Sequence, residues 1–527
     1  MKTHPNNISN EVKSVNEAMS FVKRTKAKLF LTLSILLLSG NLFANNLQIT
    51  GISVNQTAKT VSFSVSWDNS WNIAGTGVPN NWDAVWIFVK YKDCNATSAI
   101  PFTHGSLSNV LANHTIPATL EAMTSVNWNG TSGITESVAQ GATLDFTDGI
   151  MLRPKVTGTG TLAASTVVLN IPALPGVGTN LSVNVFGIEM VYVPQGDFTI
   201  GDGSGVTAAV NSFLGSNVLN SASMTVTGAF ETGASTFYMN NEPVGSVLTV
   251  NNVPAAFPKG NYGFYMTKYE ITEGQYMEFL NTLGTAQQTT RAPGSFGTNR
   301  NQLQQAVLPY STTRPDRAQN FLGWADVTAY LDWACLRPGS ETEFEKACRG
   351  NGSTLGEYAW GNLVIAPGTT FAGAATENGT ETFIAGNCTY GNGTYTNGDG
   401  ATGPARVGIY ATSSSTRQTA GASYFGIMDM SGNVMEYYVG IHSTGANNLL
   451  TRTWGDGTLD AAGQQNVGGW PAYNVATANA SAANFIGLRG GAYSNAVAQL
   501  QVSDRNYMYV NPNQAGRAAA NGGRGIR

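Results

Sequence analysis

The sequence predicts an α+β chain in which an all-β, sandwich-like region precedes a region with few helices and long loops. Three observations carry that expectation. Charged residues are 11% of the 527, against roughly 25% in an ordinary soluble domain. Glycine is abundant at 61, yet apolar residues still reach 42%, with 22 Phe, 20 Tyr and 10 Trp. Hydrophobic periodicity of two dominates the first part, and helix signals are confined to the middle of the chain. Such a composition excludes a charge-driven disordered chain. The net charge of −4 and the lack of basic runs argue against a nucleic-acid partner.

Residues 1–44 are expected to be a signal peptide. Lys23, Arg24, Lys26 and Lys28 form a basic segment, Leu29 to Leu38 an apolar one, and Ala44 offers a small residue for cleavage. The apolar run is too short to span a bilayer, and Met19 is an alternative start. Removing this segment takes away six basic and two acidic residues, leaving 22 and 30 and a net charge of −8. The mature chain is expected to have no membrane span and to be exported, as a periplasmic, cell-surface or secreted protein.

Residues 45–186 read as the β-sandwich-like domain. Val61, Phe63, Val65 and Trp67 alternate with polar residues, so one face of that strand meets a core. Ala84 to Tyr91 is almost continuously apolar, which suggests burial on both faces. Thr166 to Ile171 reads as a late strand, and Pro172 to Gly178 as a boundary. Two sheets packed face to face are the natural solution for such strands.

Residues 187–527 differ in texture. Thr272 with Gln275 forms a capping box, followed by Tyr276, Phe279, Leu280 and Leu283 at helical spacing, with Gly284 as the stop. Ser340 with Glu343 repeats the device before Phe344 and Ala347. A third helix is expected over 325–334, with Val327, Tyr330 and Leu331 inward. Of the four cysteines, Cys94, Cys335, Cys348 and Cys388, none forms a zinc-type C-x-x-C. Cys335 and Cys348 are either bridged or two buried thiols. The chain contains no P-loop, no H-E-x-x-H and no G-x-S-x-G.

The second region resembles the sulfatase-modifying-factor family, whose founding activity is the formylglycine-generating enzyme. The resemblance rests on ordered segments: Met190 to Phe198, Tyr265 to Thr272, Arg337 to Gly350, Tyr358 to Asn362, Phe425 to Glu436, Leu488 to Tyr493 and Gly522 to Arg527. It implies a C-type-lectin-like fold. Members that oxidise a sulfatase cysteine use a copper-binding cysteine pair just after the Arg-Gly-Gly segment, chemistry that a thiolate pair suits. Here Asn495 falls where the first cysteine is expected, Ala492 takes the place of the family's serine, and no cysteine follows Cys388. The expectation is therefore a non-catalytic binding or structural module with no copper. The competing readings are an oxidoreductase of the same family, forming formylglycine or running related oxidation chemistry, and a retroelement-diversified lectin-like receptor.

The resemblance also implies calcium held by oxygen ligands. One set would be Asp429 and Glu436 side chains with carbonyls of Gly432 and Val434. The other would be Asn387 and Asp399 side chains with carbonyls of Cys388 and Ala401. The ligand face is expected at Tyr493, Ser494, Asn495, Arg505, Asn506 and Tyr507, residue types common in recognition loops. The partner would be an unidentified protein or glycan.

Overall fold

The computed structural model describes residues 46–527, apart from 76–77, 124–143, 145, 203–211, 220, 242–245, 306–307, 353, 373–378, 442–449, 472–485 and 511–515. The expected signal peptide and Met19 lie outside the described residues. Among the described residues, no helix is long and apolar enough to cross a membrane.

Two sheets face each other across an apolar core built mainly from residues 47–185. One has three strands, Gln48–Asn55, Thr60–Asn72 and Gly158–Asn170, with Thr60–Asn72 in the centre. Its inward residues Val61, Phe63, Val65 and Trp67 meet Val85, Ile87 and Val89 of the strand Asp83–Asp93. The second sheet has six strands and runs Phe264–Thr267, Leu181–Val193, Asp83–Asp93, Ile150–Pro154, Leu120–Ala122, with the short Thr103–His104 paired to Asp83–Asp93.

The boundary expected at 186/187 falls inside the strand Leu181–Val193. That strand pairs antiparallel with Asp83–Asp93 from Leu181 to Val191 and with Phe264–Thr267 at its end. One sheet therefore belongs to both regions. The physical reason is the doubly apolar strand itself. Val85, Ile87 and Val89 face the first core, while Ala84, Trp86 and Phe88 face a second core holding Phe279, Tyr330 and Trp333. A strand hydrophobic on both faces must be covered on both, and the cover on the second face comes from the helices of the later region.

Those helices form where the caps predict. Helix α1 (Glu273–Thr282) carries the Thr272/Gln275 capping box and buries Tyr276, Phe279 and Leu280. It ends before Gly284, after which a short helix resumes at Thr285. Helix α2 spans Trp324–Trp333, one residue earlier than expected, and buries Val327, Tyr330 and Leu331. Helix α3 (Glu341–Arg349) has the Ser340/Glu343 box and is buried along its whole length. A small sheet of Gly339–Ser340, Met435–Val439, Ile486–Arg489 and Asn521–Gly522 completes the region. Cys335, Cys348 and Cys388 are buried free thiols and Cys94 is exposed, which settles the Cys335–Cys348 alternative for two buried thiols.

Indole groups tie the halves together. Trp82 Nε1 donates to the Tyr265 hydroxyl at 2.8 Å, and Trp86 Nε1 to the Ala334 carbonyl at 2.9 Å. Arg527 closes the contact. Its guanidinium lies 3.8 Å from the Trp86 ring and 4.4 Å from that of Phe146, and pairs with both oxygens of Asp148 at 2.8 and 2.9 Å.

Candidate functional site

The turn after Ile486–Arg489 positions the expected ligand residues. Asn495 accepts the Ala492 N–H at 2.8 Å through its side chain, and its own N–H donates to the Ala492 carbonyl at 2.9 Å. The Asn495 amide then donates to Gln499 at 3.0 Å and to the Tyr507 hydroxyl at 3.3 Å. Gln499 donates to the same hydroxyl at 3.2 Å. Asn495, Gln499 and Tyr507 therefore form one closed polar cluster. Ser494 is exposed, and Asn506 and Tyr507 are half-buried.

Two expected ligand residues face inward instead. Tyr493 is buried, and its hydroxyl donates to the Ala519 carbonyl at 3.2 Å. Burial pushes its phenol up to about 12. Arg505 is buried and paired with both oxygens of Glu341 at 2.6 and 2.7 Å. A buried guanidinium needs a carboxylate beside it, and Glu341 on helix α3 supplies one. Gln499, outside the expected set, joins Asn495 and Tyr507; it lies in the 3-10 turn Val497–Leu500, just beyond Asn495.

The inward pair belongs to a larger ionic assembly. Glu341 also accepts from Arg489 at 2.8 Å, and Arg489 reaches Glu345 at 2.8 Å. Arg349 pairs with Glu357 at 2.9 Å and Asp202 at 3.3 Å. Arg337 grips Glu343 at 2.9 and 2.5 Å. The Arg337–Gly350 segment is thus a buried charged helix, locked to the Arg489 turn that carries the polar cluster.

The first expected calcium set lies under the same turn. Asp429, at φ 58°, accepts the Gly408 N–H at 2.6 Å. Glu436 accepts from Arg524 at 2.6, 2.9 and 3.0 Å and from the Tyr438 hydroxyl at 2.8 Å. Glu270, absent from the sequence reading although it stands in the Tyr265–Thr272 segment, accepts from Val434 N–H at 3.0 Å and from Asn433 at 2.5 Å. Burial raises the Asp429 carboxyl to about 6 and that of Glu270 well above its usual range, with Asp429 and Glu436 adding to the latter. Hard oxygen donors with a surplus of negative charge suit calcium in kind. Among the described residues, however, no three His, Cys, Asp or Glu side chains converge as a metal site, and a cation here would have to share Glu436 with Arg524.

The residues of the second expected set are engaged with other partners. The Asn387 side chain accepts from Ala366 N–H at 2.8 Å and donates to the carbonyls of Val364 and Gln418. The Cys388 carbonyl accepts the Gly368 N–H at 3.0 Å. Asp399 lies beside Arg300 and Arg317 at 3.3 and 3.4 Å and accepts the Ala401 N–H at 3.1 Å. Two guanidiniums beside the single carboxylate already neutralise it, so these residues do not fit a cation.

The thiols are poorly placed for redox chemistry. Burial drives the thiols of Cys335, Cys348 and Cys388 well above the normal range, which keeps them protonated and unreactive. Cys388 Sγ donates to the Ser431 carbonyl at 3.0 Å. His104 lies within 3.8 Å of Cys335 Sγ but is bonded to the Asp148 carbonyl at 2.8 Å and approached by Lys90 at 3.3 Å; burial and the Lys90 charge depress its pKa. His114 bonds the Ser108 carbonyl at 2.8 Å and accepts from Asn170 N–H.

The model of a family described as "Sulfatase-modifying factor enzyme 1-like domain" matches residues 187–519. The chain belongs to this sulfatase-modifying-factor family. Curated relatives include a formylglycine-generating enzyme of Bos taurus, 29% identical over 136 residues, 21% of this chain and 36% of that one. The Mus musculus enzyme of that name is 26% identical over 137 residues, 21% and 37% of the two chains. The chain thus spans little more than a third of the length of the curated relatives it matches. Among solved structures, a Major Tropism Determinant U1 variant aligns over 68% of both chains at 12% identity and a TM-score of 0.22. Helix α3, the Phe425–Glu436 segment and Asn495 all lie within the matched residues.

Proposed function

We propose that this chain is a non-catalytic binding module on a sulfatase-modifying-factor framework, exported to the periplasm, the cell surface or the medium. The observation that carries the reading is the Asn495–Gln499–Tyr507 cluster. An amide held by three hydrogen bonds occupies the thiol position; it cannot bind soft copper or undergo thiol oxidation. The three buried thiols stay protonated, so none substitutes for it. The loop-rich arrangement suits a scaffold that presents a polar face.

The test is incubation of the purified chain with a cysteine-containing sulfatase peptide, copper and oxygen, read by mass spectrometry. The expected result is no formylglycine above the peptide-alone control. Turnover at a catalytic rate would overturn the reading in favour of a family oxidoreductase. We also propose structural calcium at Asp429 and Glu436 with the carbonyls of Gly432 and Val434. Its support is the grouping of the buried carboxyl groups of Glu270, Asp429 and Glu436 beside Arg524, where burial disfavours an ionisation that a cation would restore. A melting temperature unchanged by verified metal removal would refute it.

A further inference from the structure

We infer that the face around Asn495 takes a neutral, hydroxyl-rich carbohydrate; this rests on the binding reading and names its ligand class. The first argument is charge. From Tyr493 to Ser503 the chain carries no charged residue. The two that follow, Asp504 and Arg505, are buried. The neighbouring loop 387–398, joined to the face by the Gly391 N–H on the Asn495 carbonyl at 3.1 Å, is also uncharged. Glu357, in the adjoining 351–365 loop, is buried and paired with Arg349. Asp399, which follows residue 398, is paired with Arg300 and Arg317, so among the described residues these loops offer no unpaired charge with which to select an acidic or basic partner.

The second argument is donor chemistry. Primary amides present an acceptor and two donors in one plane, and a phenol presents one of each. Gln499, Asn506 and Tyr507 are each half-buried, and Ser494 is exposed. Adjacent hydroxyls on a sugar ring are donors and acceptors at the matching separation. The mutual hydrogen bonds of Asn495, Gln499 and Tyr507 hold these groups in place, so little side-chain freedom is lost on binding. Tyr507 and the half-buried Tyr390 add aromatic surface for the apolar face of a ring, as the amphipathic tyrosine side chain does elsewhere. Exposed Leu355, Leu363 and Val364 in the 351–365 loop, with Val497, add apolar surface at the edge of the polar groups.

The experiment is a printed array of neutral, sialylated and sulfated oligosaccharides probed with the full chain, then calorimetry with the best neutral saccharide. Binding to neutral glycans is expected, with Ser494→Trp and Gln499→Ala each weakening it at least tenfold. Ser494 is exposed, so its variant should melt with the wild type and serves as the folding control. Absence of neutral-glycan binding, preference for charged glycans, or binding unaffected by both variants would overturn the inference. A chain that binds no glycan and forms no formylglycine would leave the binding reading standing; formylglycine turnover would remove both.

Discussion

Glu341→Gln tests the buried ionic assembly at nearly constant volume, because the amide removes the charge and turns one acceptor oxygen into a donor. Glu341 is fully buried and serves Arg489 at 2.8 Å and Arg505 at 2.6 and 2.7 Å. Arg489 retains Glu345 in the variant. Arg505 loses both of its carboxylate bonds and faces an amide instead. Removing one partner of a buried pair costs about 3–5 kcal/mol, because a desolvated charge is left behind. A cooperative unit of this size has an unfolding entropy of about 1 kcal/mol/K, so the melting point should fall by about 3–5 °C. Urea denaturation followed by tryptophan fluorescence should give a lower midpoint with an unchanged slope. Replacing both partners, Glu341→Leu with Arg505→Met, should recover most of the loss, since apolar pairs of similar volume are often neutral or stabilising. A single variant within 1 °C of wild type would refute the view that Glu341 neutralises Arg505.

Glu273, fully buried, accepts from Thr312 at 2.6 Å and Gln302 N–H at 3.0 Å, and burial raises its pKa to about 7. A carboxyl raised on folding contributes stability that is full below its unfolded pKa and lost as pH rises through the folded one. Glu273→Gln should therefore flatten the decline in stability between about pH 4.5 and 7, by at most about 1.4 kcal/mol per pH unit; parallel profiles would count against it. A thiol reagent should label Cys94 alone in the native chain and all four cysteines after denaturation, because three are buried and free; slow loss of two thiols as a disulfide would contradict the structure. Residues 187–527 expressed alone should be poorly soluble and bind a hydrophobic dye. The strand would be cut to residues 187–193 and lose its Asp83–Asp93 neighbour, and Arg527 would lose its Trp86 and Asp148 partners. A soluble, cooperatively melting fragment would show instead that the two regions are independent.

Local signals were legible wherever the physics is local. Thr272/Gln275 and Ser340/Glu343 are capping boxes in the structure as in the sequence, because each is set by residues three apart. The alternation of Val61, Phe63, Val65 and Trp67 located a strand and its buried face. The candidate site was only half legible. Asn495 and Tyr507 meet through a hydrogen bond, but no local signal marks Gln499 or Glu270, and the pattern around Arg505 does not show that it turns inward. An arginine in a Tyr- and Asn-rich loop looks like a contact residue until its carboxylate partner is known, and that partner is 164 positions away.

The low charge content marks the same division. The sequence alone determined that charges are few, that glycine- and asparagine-rich loops dominate the end of the chain, and that the family segments occur in order. It could not say where those few charges go. The tertiary structure puts Glu341, Glu345, Arg349, Arg489, Arg505 and Arg524 in the interior, paired with one another and with their neighbours. It likewise decided that the boundary at 186/187 lies within a strand shared by both regions. Both outcomes depend on which surfaces meet. A desolvated ion needs a counter-ion and a two-faced apolar strand needs two covers, and each is supplied by residues far away in the sequence.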